Sequence, residues 1–327
     1  MKCKARPLGG LLGLTLLLAG VAVFALGLGS VPMTAAQVVR ALWGRGEELH
    51  QTIIWELRLP RVLLGMGVGA ALGTAGALMQ GMLRNPWADP YLLGIAAGAG
   101  LAAVIPLVRG VALAWIPLVA WLGSVLAALV VYGLAWQRGQ LAITRLILAG
   151  VAVSAFLGSL TTLLLLGADD RVQIALNWLV GSLNGRGWEE VQVMAGPVLG
   201  GLLAALPWGR TLDGLGLGEE RAQSLGISLV RARVGIGLTA TWLTAAVVSV
   251  SGLIGFVGLM VPHLVRLLGI NSYRWLVPWA AVMGALVLTT ADTLGRLGAV
   301  ELPVGAITAL MGAPFFIGLL YQREGGA

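Results

Sequence analysis

The chain has 327 residues, of which 58% are hydrophobic and 11% are charged, and its mean hydropathy is +0.92. Soluble domains carry about 25% charged residues, so this composition excludes an ordinary water-soluble protein. The net charge of +7 comes without a basic stripe interleaved with aromatic residues, so no nucleic-acid partner is indicated. The 49 glycines and the scarcity of strand-like alternation favour closely packed helices over a β-barrel. We therefore predict an all-α polytopic membrane protein.

A membrane-spanning helix needs about 20 mostly apolar residues, and the apolar segments of this chain predict about ten such helices. The eighth segment has only the length of a half-span, and Pro262 interrupts it. We treat residues 1–327 as a single transmembrane domain. The predicted spans lie at about 8–30, 61–80, 91–108, 112–135, 145–167, 191–207, 234–254, 256–268, 275–297 and 303–321.

The first apolar segment resembles a signal peptide, because Lys2, Lys4 and Arg6 precede it. The segment is longer than the roughly 7–15 residues of a signal core, and no convincing cleavage site follows it. We therefore expect it to be the first helix, with a cytoplasmic N-terminus and, after ten spans, a cytoplasmic C-terminus. In this topology 13 basic residues lie inside and eight lie outside, which agrees in sign with the positive-inside rule.

Shorter features lie within and between the spans. Residues 33–42 and 172–180 have helical spacing and predict short helices in the outer loops. Small residues that recur every four positions in the second span predict a ridge for close helix packing. These residues are Gly65, Gly69, Gly73, Ala77 and Gly81.

Residues 209–233, here called the coupling segment, carry charges of both signs between two long apolar segments. Glu219 and Glu220 suit the first turn of a short helix, and Gly226 suits its left-handed C-terminal cap. Ser228 is placed to cap the following helix. The pattern predicts a helix–glycine–helix unit at the inner surface that receives force from another protein. The alternative is a solvated loop, but a loop needs neither a glycine stop nor apolar residues at helical spacing such as Leu217, Ala222 and Leu225.

The coupling segment offers both polar and apolar side chains to a partner. Leu217 and Leu225 either seat the segment on its own protein or enter a groove of the partner, and the sequence leaves both roles open. The predicted contact residues are Leu217, Glu219, Glu220, Gln223, Leu225 and Gly226.

Three arginines lie at predicted outer helix ends, where the positive-inside rule alone does not place them. Arg58 and Arg61 either extend to lipid headgroups or provide a docking point for carboxylates of an incoming protein. Arg296 lies four residues after Asp292, so the two share a helix face. Asp292 either forms an internal ion pair with Arg296 or orients it towards an outer partner.

The fifth span has a face of small and weakly polar residues. Such a face either packs against a neighbouring helix or lines a path through the membrane. The candidate path residues are Ser154, Gly158, Thr161 and Thr162, in line with Gly150.

Several enzyme classes are not indicated. A phosphate-binding Walker A loop requires a lysine, and the only lysines are Lys2 and Lys4. His50 and His263 are the only histidines, and Cys3 is the only cysteine, so no metal site is predicted. Energy for any active process must therefore come from another subunit.

Three blocks of motifs occur in order between residues 58 and 316. They are Arg58-Leu-Pro-Arg61 with Arg84-Asn-Pro-Trp-Ala-Asp-Pro90, Leu217-Gly-Glu-Glu220 with Ser224-Leu-Gly226, and Gly255-Phe-Val-Gly-Leu-Met-Val-Pro-His-Leu-Val-Arg266 with Gly312-Ala-Pro-Phe-Phe316. Together these blocks resemble the FecCD/BtuC-like permease family of ABC importers. One departure is Trp87, which stands where the family usually has leucine.

The resemblance implies a type II ABC importer permease that forms a homodimer around a central path in the cytoplasmic membrane of a prokaryote. It implies two cytoplasmic ATPase subunits, which hold ATP and Mg, and an extracytoplasmic binding protein. This chain itself is then expected to bind no cofactor. In the family, arginines equivalent to Arg58, Arg61 and Arg296 face acidic residues of the binding protein, and spans 5 and 10 border the path.

The expected substrate is an iron–siderophore chelate, with haem or cobalamin as the alternatives within the family. An alternative of another class is an ion-coupled secondary transporter that works alone. Such a transporter needs a titratable group inside the membrane, and Asp292 is the only fair candidate.

Overall fold

The computed structural model describes residues 7–137, 139–168, 171–298 and 300–324. A two-residue pair of antiparallel strands, β1 (Trp136–Gln137) and β2 (Gln140–Leu141), joins α6 to α7. The helices are α1 (Pro7–Gly27), α2 (Ala35–Leu42), α3 (Glu48–Thr52), α4 (Leu59–Met82), α5 (Ile95–Arg109), α6 (Ile116–Ala135), α7 (Ile143–Leu166), α8 (Val172–Val180), α9 (Trp188–Ala205), α10 (Trp208–Gly216), α11 (Glu219–Ser224), α12 (Leu229–Ser251), α13 (Val257–Leu267), α14 (Tyr273–Gly295) and α15 (Val304–Glu324).

The prediction of an all-α membrane protein is confirmed. Within the described residues, six helices are long and apolar enough to cross a membrane, and α9 with α10 forms a seventh candidate bent by 45°. Three shorter apolar helices, α5, α13 and α15, correspond to the remaining predicted spans. The predicted total of about ten therefore includes three helices whose apolar parts, Ile95–Arg109, Val257–Leu267 and Val304–Leu319, are short for a complete crossing.

The centre of the bundle is the contact between α4 and α14. Almost every residue of α4 from Val68 onwards is buried. A Cβ atom at Gly69 would overlap the carbonyl oxygen of Gly284, and one at Gly284 would overlap that of Gly69. The predicted ridge of small residues is thus confirmed, and it lets the two helix backbones touch.

The helix α13 differs from the expectation at Pro262. This proline lies inside the helix and does not interrupt it. As the sixth residue of α13 it removes one backbone hydrogen bond, and the carbonyl oxygen of Gly258 accepts from Gln80 Nε2 at 3.4 Å instead. The chain turns before α13, where Gly252 has φ of +72° and Phe256 has φ of +67°. The short length predicted for this segment is confirmed, since α13 has 11 residues.

Two helix boundaries also differ from the sequence prediction. A helix runs almost without interruption from Glu48 to Met82 through a π-helical turn at Ile53–Arg58, so the second span begins before the predicted 61. The first part of the coupling segment is the helix α10, whose Leu212 and Leu215 are buried. Burial of these two leucines holds α10 against the bundle, whereas the charges of the coupling segment predicted a position at the surface.

Some predictions fall outside the described residues. Lys2, Lys4 and Arg6, which indicate a cytoplasmic N-terminus, lie there, as does Arg138. The short outer helices are confirmed as α2 and α8, and α8 has the predicted bounds. Thr34 caps α2 by accepting a hydrogen bond from the backbone N–H of Gln37.

We predict that Gly69→Val or Gly284→Val lowers the free energy of unfolding by about 1–3 kcal/mol or more, because the new side chain would push α4 and α14 apart. Reversible unfolding in mixed micelles measures this loss. Gly133→Val is the matched control, because no atom lies within 4 Å of a Cβ at Gly133. Equal stability of the Gly69 and Gly133 variants would contradict the close contact.

Candidate functional site

Arg58, Arg61 and Arg296 lie together at one end of the bundle, although they come from distant parts of the chain. Arg58 ends the π-helical turn and donates hydrogen bonds of 2.7 Å to the carbonyl oxygens of Leu26 and Val31. Its side chain is buried. Arg58 therefore ties the end of α1 to the start of α4, and it does not extend to lipid headgroups.

Arg61 and Arg296 share the carboxylate of Asp292. The Nη2 atom of Arg61 lies 3.0 Å from Asp292 Oδ1, and the Nε atom of Arg296 lies 3.2 Å from Asp292 Oδ2. The Nη1 atom of Arg61 also lies 3.0 Å from Glu301 Oε2. The predicted internal pair of Asp292 and Arg296 is confirmed. The contacts of Arg61 were missed, because its partners lie 231 and 240 residues away.

The side chains of Arg58, Arg61, Asp292, Arg296 and Glu301 are here called the arginine cluster. They line a shared cavity or hold its lining in place. The cavity has a volume of about 620 Å³. Three arginines and two carboxylates leave the cluster with a net charge of +1. A net positive cavity attracts anionic groups, and burial reduces the screening of its charges.

The coupling segment contains the predicted short helix. The helix α11 begins at Glu219, and Gly226 follows it with φ of +81° in the left-handed region. Ser228 precedes α12, but its side chain makes no capping hydrogen bond. Ala222 is the buried residue of α11. The predicted short helix and the glycine that ends it are therefore confirmed. Ser228 stands at the predicted position before α12, but its side chain does not act as a cap.

The two leucines of the coupling segment point away from the bundle. Leu217 is 55% exposed and Leu225 is 64% exposed. Glu220 and Gln223 are exposed as well. The leucines therefore do not seat the segment on its own protein, and they remain free for a partner.

Glu219 is held by an ion pair that sequence reasoning missed. Its Oε1 atom lies 2.6 Å from the Nη2 atom of Arg233. Arg233 is buried and also donates to the carbonyl oxygen of Leu141 at 3.3 Å. This pair fixes α11 to the first turns of α12 and to β2.

The coupling segment also holds the beginning of α14. The Oδ2 atom of Asp213 accepts 2.6 Å from the hydroxyl of Ser272, and its Oδ1 atom accepts 2.6 Å from the N–H of Tyr273. A carboxylate at this position satisfies the unpaired N–H groups and suits the helix dipole. The other end of α14 carries Asp292 of the arginine cluster. One helix of 23 residues, about 34 Å long, therefore joins the coupling segment to the arginine cluster.

A second polar network lies beside this junction. The Nη1 atom of Arg266 donates 2.6 Å to Gln80 Oε1, and its Nη2 atom donates 3.1 Å to the hydroxyl of Tyr273. The amide nitrogen of Gln80 donates 3.2 Å to the carbonyl oxygen of Leu259. These bonds join α4, α13 and α14 near the coupling segment. The sequence analysis named Arg266 only as part of a motif and predicted none of these contacts.

The weakly polar face of α7 has two different surroundings. Gly150 lies against a carbonyl oxygen of the short 3₁₀ helix before α5, so this part is packed. Gly158 has no atom within 4 Å of a Cβ, and Thr162 is exposed. The hydroxyl of Thr161 donates 2.9 Å to the backbone of its own helix. Ser154 is half-buried between the two parts.

An aromatic group connects the loop after α4 with α13 and α15. Trp87 stacks on His263 with ring centroids 6.3 Å apart and meets Phe316 edge-on at 5.6 Å. Phe315 lies 5.9 Å from the ring of His263. The tryptophan that departs from the usual leucine thus fills an aromatic contact, which the sequence did not reveal.

Asp89 caps the short 3₁₀ helix that precedes α5. Its carboxylate accepts a hydrogen bond of 2.7 Å from the N–H of Tyr91. Burial raises the pKa of Asp89 to about 6, while this hydrogen bond acts in the opposite direction.

Across the described ranges, no three His, Cys, Asp or Glu side chains are grouped to hold a metal ion.

Comparison with known proteins decides the family. The profile of the FecCD transport family matches residues 16–322. The chain belongs to the FecCD transport family. It is a multi-pass permease of an ABC importer, not an enzyme, and the predicted resemblance is confirmed.

Relatives with this architecture are recorded for several transport systems. The chain is 41% identical to the hemin transport system permease HmuU of Yersinia pestis, over 91% of this chain and 93% of the relative. It is 40% identical to the Fe(3+) dicitrate permease FecD of Escherichia coli, over 95% and 98%. It is 41% identical to the cobalamin import permease BtuC of Halobacterium salinarum, over 85% and 75%.

A solved structure has the same fold. It is an inward-facing ABC transporter assigned to the metal-chelate type, with a TM-score of 0.86 and 30% identity. The match covers 95% of this chain and 98% of that chain. This chain therefore has the fold of that ABC transporter chain.

We predict that Asp292→Asn lowers the free energy of unfolding by about 3 kcal/mol, because two buried arginines then lose their shared charge partner. Glu301→Gln is the matched control and should cost less than about 1 kcal/mol, since Glu301 is 44% exposed. Unfolding in mixed micelles measures both variants. A similar cost for the two would contradict the central position of Asp292.

Proposed function

We propose that the chain forms the membrane path of an importer for an iron chelate of the siderophore type. In this proposal it works as a homodimer in the cytoplasmic membrane of a prokaryote, with both termini in the cytoplasm. Two ATPase subunits bind inside, and a substrate-binding protein docks outside. The observation that carries the proposal is the placement of two distinct surfaces, the exposed α11 and the arginine cluster, near opposite ends of α14.

The relatives support a metal chelate as the substrate class. The three relatives named above are recorded for hemin, ferric dicitrate and cobalamin, which are all metal chelates. Their identities to this chain are nearly equal, so identity does not separate the candidates. Ferric dicitrate is the non-haem iron chelate among the three and supports an iron chelate of the siderophore type, with haem or cobalamin as the alternatives.

The path is proposed to run along α7. In the single chain Gly158 has open space beside it and Thr162 is exposed. Ser154 is half-buried and Thr161 is buried, and both lie on the same side of the helix as Gly158. Hydroxyl groups that bond to their own backbone leave a smooth surface with little net polarity. Such a surface lets a chelate pass without holding it tightly.

Energy is proposed to enter at the coupling segment. ATP and Mg would reside in the ATPase subunits, and this chain would bind neither. Gln223 is exposed on the short helix α11, and Leu217 and Leu225 are exposed on either side of it, so this unit can enter a groove of that partner. Glu220 and Gly226 complete this surface, while Glu219 keeps it in place through Arg233. Asp213 carries displacement of the segment to α14.

An ion-coupled secondary transporter is not supported. Such a protein needs a titratable group that can change its charge near the middle of the membrane. Asp292 lies three residues from the last residue of α14 and is paired with two arginines. Its place near the end of α14, between two arginines, is not the midplane position that an ion carrier needs.

The ligand carried by the cognate binding protein tests the substrate. The binding protein purified from the native host should release an iron–siderophore complex, which mass spectrometry identifies. Release of haem or cobalamin would replace the iron–siderophore proposal with one of its alternatives.

We predict that Leu225→Asp uncouples transport, because a charge replaces an exposed apolar contact with the ATPase. ATP-driven uptake into proteoliposomes should fall at least tenfold, while the protein still inserts and folds. Leu225→Met keeps the apolar volume and should keep most of the uptake. Normal uptake by Leu225→Asp would remove Leu225 from the coupling surface.

We also predict that Arg61→Gln weakens docking of the binding protein, with the largest loss at low salt. The long-range attraction between the net positive cavity and an acidic docking protein is screened as ionic strength rises, so the difference from the wild type should shrink. Arg40→Gln removes an equal charge from the exposed surface of α2 and should leave the affinity unchanged. An unchanged affinity of Arg61→Gln at every salt concentration would refute docking at the cluster.

A further inference from the structure

The guanidinium of Arg61 contacts two carboxylates that differ in their exposure. Its Nε and Nη2 atoms face Asp292, whose side chain is 5% exposed. Its Nη1 atom faces Glu301, whose side chain is 44% exposed. The buried Asp292 therefore fixes the orientation of the Arg61 side chain. The more exposed Glu301 contacts the remaining terminal nitrogen, Nη1.

Glu301 lies on the short segment 296–303 between α14 and α15. The N–H of Leu302 donates 3.0 Å to the carbonyl oxygen of Gly295, and the N–H of Gly305 donates 3.1 Å to that of Gly181. Glu301 thus lies just before α15, which begins at Val304. A displacement of Glu301 acts directly on the first residues of α15.

Glu301 borders two cavities. One is the arginine cavity of about 620 Å³, and the other has a volume of about 390 Å³ and contains Asn184 and Arg186 in its lining. Arg186 is 27% exposed and pairs with Glu190 at 3.3 Å. A Glu301 side chain that leaves Arg61 therefore has a second cavity beside it, with Asn184 and Arg186 as polar groups in its lining.

We propose that Glu301 is an internal substitute for a carboxylate of the docking protein. It occupies Nη1 of Arg61 while the permease is alone, and the docking carboxylate displaces it. The displaced Glu301 moves towards the second cavity and shifts the start of α15. This inference rests on the proposed docking of a binding protein at the arginine cluster.

The charges of the cluster support an exchange of carboxylates. With Glu301 in place, three positive and two negative charges give +1, and removal of Glu301 raises this value to +2. A docking carboxylate restores +1, so the exchange leaves no buried charge without a partner. Asp292 cannot take part in the exchange, because it is buried and bound to two arginines.

The test compares the affinity of wild type and Glu301→Gln permease in nanodiscs for the cognate substrate-binding protein. Glu301→Gln should bind about two- to fivefold more tightly at low salt, since an ion pair with an exposed partner is worth up to about 1 kcal/mol. The gain should shrink at high salt. Glu47→Gln is the matched control, because Glu47 is 75% exposed and outside the cluster.

A second measurement follows the segment itself. Amide hydrogen exchange at Leu302 should accelerate when the binding protein docks on the wild type. In Glu301→Gln it should be fast before docking and change little afterwards. Glu301→Asp keeps the charge but shortens the side chain, so intermediate values are expected for this variant.

The possible outcomes separate this inference from the docking proposal. If Arg61→Gln weakens docking while Glu301→Gln leaves the affinity unchanged or lowers it, the exchange of carboxylates is refuted and docking stands. If neither variant changes the affinity, docking at the cluster is refuted. If Leu302 exchanges at the same rate before and after docking, the proposed movement of the segment is overturned.

Discussion

The contact between the backbones of α4 and α14 is the constraint on which the other features depend. Gly69 and Gly284 meet without side chains between them, so each helix fixes the position of the other. Burial of apolar side chains does not hold two helices together in lipid, because the lipid tails are equally apolar. The association of the helices depends on close packing instead. The two polar networks lie towards opposite ends of this same pair, with Gln80 and Tyr273 at one end and Arg61 and Asp292 at the other.

This pair of helices gives a physical route between the two proposed partner surfaces. Asp213 attaches the coupling segment to the beginning of α14, and Asp292 attaches the end of α14 to Arg61 of α4. A rigid, continuously packed unit can carry displacement over its full length. The surroundings of α7 and α15 are looser, since Gly158, Leu310 and Ile317 face open space or solvent. Movement of these helices against the rigid pair would suit alternating access.

The arginine cluster illustrates how charge is accommodated beside lipid. Arg58 bonds to backbone carbonyls at the end of α1, and Arg61 and Arg296 share one buried carboxylate. Burial makes each of these contacts costly to break. Glu301 is different because solvent already reaches it, so its contact with Arg61 can be exchanged at low cost. The exposure of a single carboxylate thus separates a structural contact from an adjustable one.

The sequence by itself determined the helical membrane class, the small-residue ridge of α4, the short helices α8 and α11, and the family. These features depend on composition and on spacing within a few residues, where periodicity and caps act locally. Only the tertiary structure decided that Arg61 contacts Glu301, that Arg233 contacts Glu219 and that Asp213 caps α14. Their positions are 240, 14 and 60 residues apart in the chain, and no local pattern specifies which distant charges meet. The packing of α4 on α14 brings the farthest of these together.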